Sequence, residues 1–465
     1  MIAAHERGRL HKRAGDEPYS GTAEHRRGTS RERVAVRRPH VLVTAGSRAD
    51  IAWAEIHSQA QMGATFVNWV GNQRCTPARR RSPASEAEVQ AAVREAVASG
   101  QGVRVVAAGH SFSPVHLTDG TLIDLANLGG ITHVDAAARR VRALPGTPIG
   151  AFGDPLWEAG LALGNQGDID TQGIAGAIGT ATHGSGVGLQ SFSASLRSCR
   201  LVDGRGEVVV VDGSTPDLLA AAQVSIGMLG VMTEVEIEAV PRYRLVQRIE
   251  EWSFERLLDE WDDRIARHRH FSCFWCPTPQ SGALYGLEVD GAALGQDMVW
   301  VKTLDEVADD VPQEPGRVDR GYRLYPLDGL EPNFHELEYY VHLDRAREAA
   351  IAMRELMLAS QPHAVFPLEL RTVAADTAYL SPQFEMPTLV LSVSGQPGTD
   401  YWDYLRRVDA LLGEFDARVH WGKLHFLTAQ QLRDRYPKAG EFIELRHRLD
   451  PDGVFLNDHL RPLFA

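Results

Sequence analysis

The sequence is poor in what several common protein classes require. It has 4 cysteines in 465 residues, too few for a disulfide scaffold, and this usage points to a reducing, cytoplasmic setting. No apolar run approaches the roughly 20 residues of a membrane span, so no transmembrane segment is expected. Basic excess is missing too. A formal net charge of -13 offers no broad positive surface to neutralise phosphates, so no nucleic-acid partner is expected. No G-x-G-x-x-G follows the first strand-like run, so a Rossmann cofactor site is not indicated. His420 and His425 in "HWGKLH" lack the H-E-x-x-H spacing and a third ligand, so no metal is expected.

What is present suits a large soluble globular protein. Hydrophobic residues make up 44% of the chain, enough to build two domains. Residues 1–61 stand apart. "HERGRLHKRAGDEP" and "EHRRGTSRERVAVRRPH" are Arg-rich without sustained periodicity, so a disordered extension is expected, with Met62 as a sensible start. From Phe66 the pattern becomes structured. "SPASEAEVQAAVREAVASGQG" predicts a helix: Ser85 and Glu88 have capping-box spacing, and Val89, Val93 and Val97 share one face. Strands are expected at "VRVVAA", "TLIDL" and "RRVRAL", and a hairpin at "LRSCRLVDGRGEVVVVDG". Helices and strands mix without regular alternation, which predicts an α+β fold rather than a βαβ array. Near Pro241 the organisation changes. "WSFERLLDEWDDRIARH" is an amphipathic helix, and residues 278–333 read as loop-heavy. The remainder predicts an antiparallel sheet with helices on one face. The expected division is 66–245, 246–420 and a C-terminal segment 421–465.

Three glycine-rich stretches sit beside strand ends: "AAGHSFSP", "GAIGTATHGSG" and "SIGMLGV". Glycine lets backbone amides approach a ligand closely, which suits a pyrophosphate. Together the three imply a long phosphate-bearing ligand across one domain. Downstream, Glu369 and Arg371 are two apart in a strand, so both side chains leave one face. A carboxylate and a guanidinium aimed at one cavity make acid–base and charge-stabilising partners; on a surface the same E-x-R is an ordinary ion pair. Cys273 and Cys276 form C-x-x-C, but a strand sends i and i+3 to opposite faces, so two buried thiols are expected.

"GHSFSP", "NQGDID", "ATHGSG", "SIGMLGVMTEV", "ELR", "HWGK" and "DPDGVFLND" occur in this order. Together they resemble the vanillyl-alcohol-oxidase superfamily of PCMH-type flavoproteins, in particular its aldonolactone oxidoreductase branch. The resemblance runs from about Phe66 to the C-terminus. It implies a PCMH-type FAD-binding domain, a second α+β cap domain carrying an antiparallel sheet, and FAD joined covalently through His110. By the same match Ala107, Ala108, Gly109, Ser111, Phe112 and Ser113 should wrap the cofactor. Gly167, Asp168, Thr182, His183, Gly184, Ser185, Gly186, Gly227, Gly230 and Val231 should line it.

The resemblance also puts Glu369, Arg371 and Lys423 against the flavin, with Lys423 near N1. It implies oxidation of a sugar-derived 1,4-lactone at a carbinol carbon by hydride transfer to flavin N5. The electrons then pass to O2 or another acceptor; galactonolactone dehydrogenase relatives carry an oxygen-restricting alanine where this chain has Gly167, which leans toward an oxidase. The open alternatives are an alditol (xylitol-type) oxidase, a flavin enzyme that bypasses oxygen, and a noncatalytic flavin-binding protein.

Overall fold

The computed structural model describes residues 64–327 and 333–465. The expected N-terminal extension lies outside them. The chain first builds a small parallel sheet in the order Arg79–Arg81, Thr121–Asp124, Val103–Val106. Its cover is the expected helix, observed at Glu86–Ala98. The Ser85 hydroxyl accepts the Glu88 N–H at 3.3 Å, while the Glu88 carboxylate takes the N–H of Ala84 rather than that of Ser85. Val89, Ala92, Val93 and Ala96 of the helix are buried against Val103, Ile123, Val202 and Val231. Each such valine contributes about 1.5–3 kcal/mol of hydrophobic stabilisation.

A second sheet of five antiparallel strands runs in the order Val208–Val211, Leu196–Val202, Val231–Glu238, Arg140–Ala143, Ile131–Asp135. The predicted hairpin is its edge. The glycine-rich stretch 173–186 forms one short helix, Ile174–Gly179, and then a loop.

The third sheet has eight strands, all antiparallel: Val318–Arg320, Arg244–Ser253, Met298–Val307, His270–Cys276, Leu368–Val373, Thr388–Gly395, His335–His342 and Arg418–Val419. Helices Phe254–Arg267, Ala346–Ala359 and Trp402–Gly413 pack beside it. The architecture is α+β. Residues 278–333 are less loop-heavy than their composition implies, because Met298–Val307 is a ten-residue strand in the sheet interior. Its flanking Gly, Pro and acidic residues mask it in sequence; sheet pairing on both edges overrides that local signal. Arg244–Ser253, also ten residues, has six charged or polar side chains among its apolar ones and was likewise not anticipated. Cys273 and Cys276 are free and buried, and they join different apolar clusters on opposite sides of their strand.

Arg104 ties three segments together. Its guanidinium is buried and donates to the carbonyls of Val115 at 2.6 Å, Ile226 at 2.7 Å and Phe455 at 2.6 Å. Burial pulls its pKa down to about 10, partly offset by the charge of Asp450. Asp450 in turn accepts the N–H groups of Val454 and Phe455. The N-terminal sheet, the 225–231 loop and the C-terminal segment thus share one polar knot. Arg104→Met fills the space but strands three buried carbonyls, so it should cost about 3 kcal/mol or more. Urea unfolding of the two proteins measures the difference.

Candidate active site

Two cavities meet inside the described residues. The first runs between the parallel sheet, the 225–231 loop and the short helix 174–179. The second opens over one face of the eight-stranded sheet. Ile169, Gln172, Thr182, His420 and Lys423 border both.

The first cavity is built from backbone. After strand Val103–Val106 the chain turns at Gly109, whose φ of +67° suits glycine, and a Cβ there would meet the Phe66 ring at 3.3 Å. Among the described residues, the N–H groups of Gly109, His110 and Ser111 donate to no protein acceptor. Such a run of free donors is an anion nest. His110 is the middle residue of this run. Its Nε2 is 3.2 Å from Thr171 Oγ1, its ring is 4.7 Å from that of Trp69, and its buried Nδ1 has no partner. Burial, helped by Lys423, pulls the His110 pKa down to about 4, so the ring is neutral.

The second cavity is lined by side chains that the sheet pleat sends to one face. Alternation puts Glu369 and Arg371 on that face of Leu368–Val373, and Glu336, Glu338 and Tyr340 on that face of His335–His342. The strand Thr388–Gly395 runs between them, and its Ser392 stands opposite both Glu338 and Glu369. Phe274 and Trp300 extend the face outward, and Tyr285 and Phe334 complete the apolar wall.

Arg371 is surrounded. Its Nη1 donates to Asp168 Oδ2 at 2.9 Å and its Nη2 to Glu338 Oε2 at 2.8 Å. Its Nε lies 3.2 Å from Glu369 Oε1 as an ion pair without a hydrogen bond. Burial opposes the guanidinium charge, but the three carboxylates outweigh it and hold the pKa well above the usual value. Burial likewise works against Glu338, yet His183 and Arg371 hold that carboxyl well below the carboxylate range. Glu369 goes the other way. Burial, reinforced by Asp168, Glu336 and Glu338, pushes it up to about 8 despite Arg371.

Lys423 enters from the loop 420–424. This loop is pinned to the strand by His420 N–H to the Glu338 carbonyl at 3.0 Å and Leu424 N–H to the Glu336 carbonyl at 2.8 Å. Its far side is pinned by Phe112 N–H to the Gly422 carbonyl at 2.7 Å and Ser113 Oγ to the Trp421 carbonyl at 2.6 Å. The loop therefore couples the two cavities. Lys423 Nζ binds Glu336, which also accepts from Ser392, and it lies 4.8 Å over the Phe112 ring.

Of the residues singled out from sequence, Ala107, Ala108, Gly109, His110, Ser111, Phe112, Thr182, Gly227, Gly230 and Val231 line the first cavity. Gly167, Asp168, His183, Glu369, Arg371 and Lys423 line the second, with Lys423 and Thr182 shared. Ser113, Gly184, Ser185 and Gly186 line neither. Ser113 holds the 420–424 loop. Gly184 packs so closely on Gln166 that a Cβ would lie 1.8 Å from its carbonyl oxygen. Ser185 bonds Tyr325, and Gly186 N–H pairs with the Thr372 carbonyl. Of these three, Gly186 ties the motif to the strand of Glu369 and Arg371. Glu336 and Glu338 were not anticipated; the signal was their two-residue spacing in "HELEYYVH", the same spacing that singled out Glu369 and Arg371.

Comparison with known proteins bears on both cavities. A family profile described as an FAD binding domain matches residues 77–212, and one described as D-arabinono-1,4-lactone oxidase matches 299–463. The L-gulono-1,4-lactone dehydrogenase of Mycobacterium tuberculosis is 33% identical over 426 residues, covering 86% of this chain and 99% of that protein. This chain belongs to the aldonolactone oxidoreductase branch of the PCMH-type flavoproteins. It is an FAD-dependent oxidoreductase. The L-gulonolactone oxidase of Mus musculus is 25% identical over 443 residues (86% of this chain, 98% of the relative). The alditol oxidase of a Streptomyces species is 28% identical over 434 residues (86% and 99%). Solved structures of cholesterol oxidase from Brevibacterium sterolicum (TM-score 0.71, 15% identity, 86% of this chain and 97% of that one) and 6-hydroxy-D-nicotine oxidase from Arthrobacter nicotinovorans (TM-score 0.66, 16% identity, 86% and 98%) share the fold. No helix among the described residues of this family member is long and apolar enough to cross a membrane.

The anion nest and glycine-rich walls of the first cavity fit the pyrophosphate of FAD, and the partnerless His110 Nδ1 fits a group at its inner end. Arg371 is the cation on which the second cavity depends. Arg371→Met leaves Asp168, Glu338 and Glu369 to face one another. The variant should lose about 3–5 kcal/mol at neutral pH. Each carboxylate pKa rises without the guanidinium, so the deficit should shrink as pH falls and these groups take up protons. Unfolding titrations at two pH values check both size and sign.

Proposed function

We propose that this protein oxidises a sugar-derived 1,4-lactone of the L-gulono- or D-arabinono-1,4-lactone type at a carbinol carbon. The observation that carries the reading is the junction of the two cavities: Lys423 borders both, and Glu369 and Arg371 face it from the sheet. The names of the relatives support the lactone class. The charge of the cavity supports it as well. Asp168, Glu336, Glu338 and Glu369 line it against the cations Arg371 and Lys423, a setting that favours a neutral polyhydroxylated ring over the aldonate anion formed when the lactone opens.

The isoalloxazine ring, when bound, supplies the two-electron acceptor for the hydride that leaves the substrate carbon. The chain's own residues do the rest. Glu369, as carboxylate, takes the proton of the reacting hydroxyl. Arg371 stabilises the alkoxide character that grows on that oxygen. Lys423, held by Glu336, offers its charge toward the seam between the cavities. Phe274, Tyr285, Trp300 and Phe334 give an apolar wall that limits water. The two electrons leave to O2 or another acceptor, and peroxide yield per lactone oxidised separates the two.

His110 is proposed to carry the flavin covalently through Nδ1. Neutral imidazole is a competent nucleophile, and the tautomer whose Nε2–H donates to Thr171 leaves the Nδ1 lone pair free. Acid-precipitated wild-type protein should retain yellow flavin on a peptide containing His110. His110→Ala should release it while still binding FAD through the nest.

Substrate class is tested with an aerobic panel of L-gulono-1,4-lactone, D-arabinono-1,4-lactone, xylitol and the matching aldonates. The lactones should turn over and the aldonates should not; xylitol as the best substrate would favour the alditol reading. Glu369 must be ionised to act as base, so kcat/KM should rise with pH through about 8 and level off above it. Glu369→Gln should remove most of the activity, about a hundredfold or more, together with that limb.

A further inference from the structure

Three buried histidines near the cavity face meet different partners. His420 Nδ1 accepts the Gly422 N–H at 3.0 Å, which takes a lone pair and hence a neutral ring. His270 Nδ1 lies 2.7 Å from the Ser185 carbonyl oxygen, and its Nε2 meets nothing; one ring proton satisfies it. His183 differs from both. Its Nδ1 lies 2.7 Å from the Gly184 carbonyl oxygen, and its Nε2 lies 3.0 Å from Glu338 Oε1.

A carbonyl oxygen only accepts. Glu338 is an acceptor here as well, because Arg371 Nη2 donates to its Oε2 at 2.8 Å and the Tyr340 hydroxyl donates to its Oε1 at 2.9 Å. Both nitrogens of His183 therefore face oxygens that require a proton, and a neutral imidazole has only one to give. A proton on Glu338 instead would sit beside the Arg371 guanidinium and displace the Tyr340 donor. Turning the ring over would set carbon against both oxygens and remove a donor from each.

We propose that His183 is held as a buried imidazolium between the Gly184 carbonyl and Glu338, and that this ion pair is a positioning element that fixes Arg371 toward the substrate. The second half rests on the reading of Arg371 as a substrate-facing group. The groups facing His183 are Glu338 and Tyr340 from one strand, Arg371 and Glu369 from another, His420 and Lys423 from the 420–424 loop, and Asp168 across Arg371. A cation at His183 gives Glu338 a second positive partner beside Arg371. The same charge accounts for the chemistry at Glu338, a carboxylate that three donors converge on. It also explains why the His183–Glu338–His420 cluster, whose ligand atoms lie within 4.8 Å of one another, is spoken for by hydrogen bonds and not arranged to present free ligands.

The test is nuclear magnetic resonance of the holoenzyme carrying isotope-labelled histidine, recorded without substrate. One histidine should show two protonated ring nitrogens at neutral pH. The signal should vanish in His183→Gln and lose one proton in Glu338→Gln, so either variant assigns it if the other does not fold. In Glu338→Gln, kcat should fall by about a hundredfold with a smaller change in KM, and Glu338→Asp should recover part of the loss. A neutral His183 ring overturns the proposal whatever the enzyme oxidises. Wild-type kcat in Glu338→Gln overturns the positioning role. The ring signals are read without turnover, so a protein that oxidises no lactone leaves them standing and sinks only the substrate assignment.

Discussion

Arg371 carries its charge out of water with a carboxylate on each accessible side, and the site is organised by how that one charge is shared. At about 3 Å, and with an effective dielectric near 20, each contact is worth roughly 5 kcal/mol, while taking each ion out of water costs several kcal/mol. One guanidinium can offset that cost for the carboxylates it bonds directly. Asp168 and Glu338 have the two Nη groups. Glu369 is left with an unaligned contact at Nε and the repulsion of its neighbours. Its raised pKa follows from this inequality, and a carboxyl that titrates near neutrality is what proton transfer from a hydroxyl requires.

The two cavities divide the chemistry by the kind of atom each uses. The first presents backbone N–H groups at a turn, where side chains would only obstruct. The second uses charged side chains on a sheet, where the pleat and the pairing register hold them rigidly. The loop 420–424 belongs to both, since its carbonyls hold Phe112 and Ser113 while its amides follow the strand of Glu336 and Glu338. Lys423 can stand at the seam because its backbone is fixed from both sides.

Much of this was legible along the chain. The helix at 86–98, the hairpin 196–211, the turn at Gly109 and the shared face of Glu369 and Arg371 all follow from local rules of capping, turn chemistry and two-residue alternation. The strands Arg244–Ser253 and Met298–Val307 did not, because their residues earn strand conformation only from neighbours on both edges. Ser113 and Gly184–Gly186 lie in the same motifs yet line neither cavity. Motif membership says that a segment is near a site, and only packing says which way each residue points.

From the order of its motifs the sequence alone pointed to the family, to FAD and to three charged residues that line the second cavity. It could do so because those features are local in spacing and chemistry. The ionisation of the site was decided only in three dimensions. Asp168, His183, Glu338, Glu369 and Arg371 come from segments up to 203 residues apart, and whether each holds a proton depends on distances of about 3 Å between them and on the exclusion of water, neither of which is written in any one stretch of the chain.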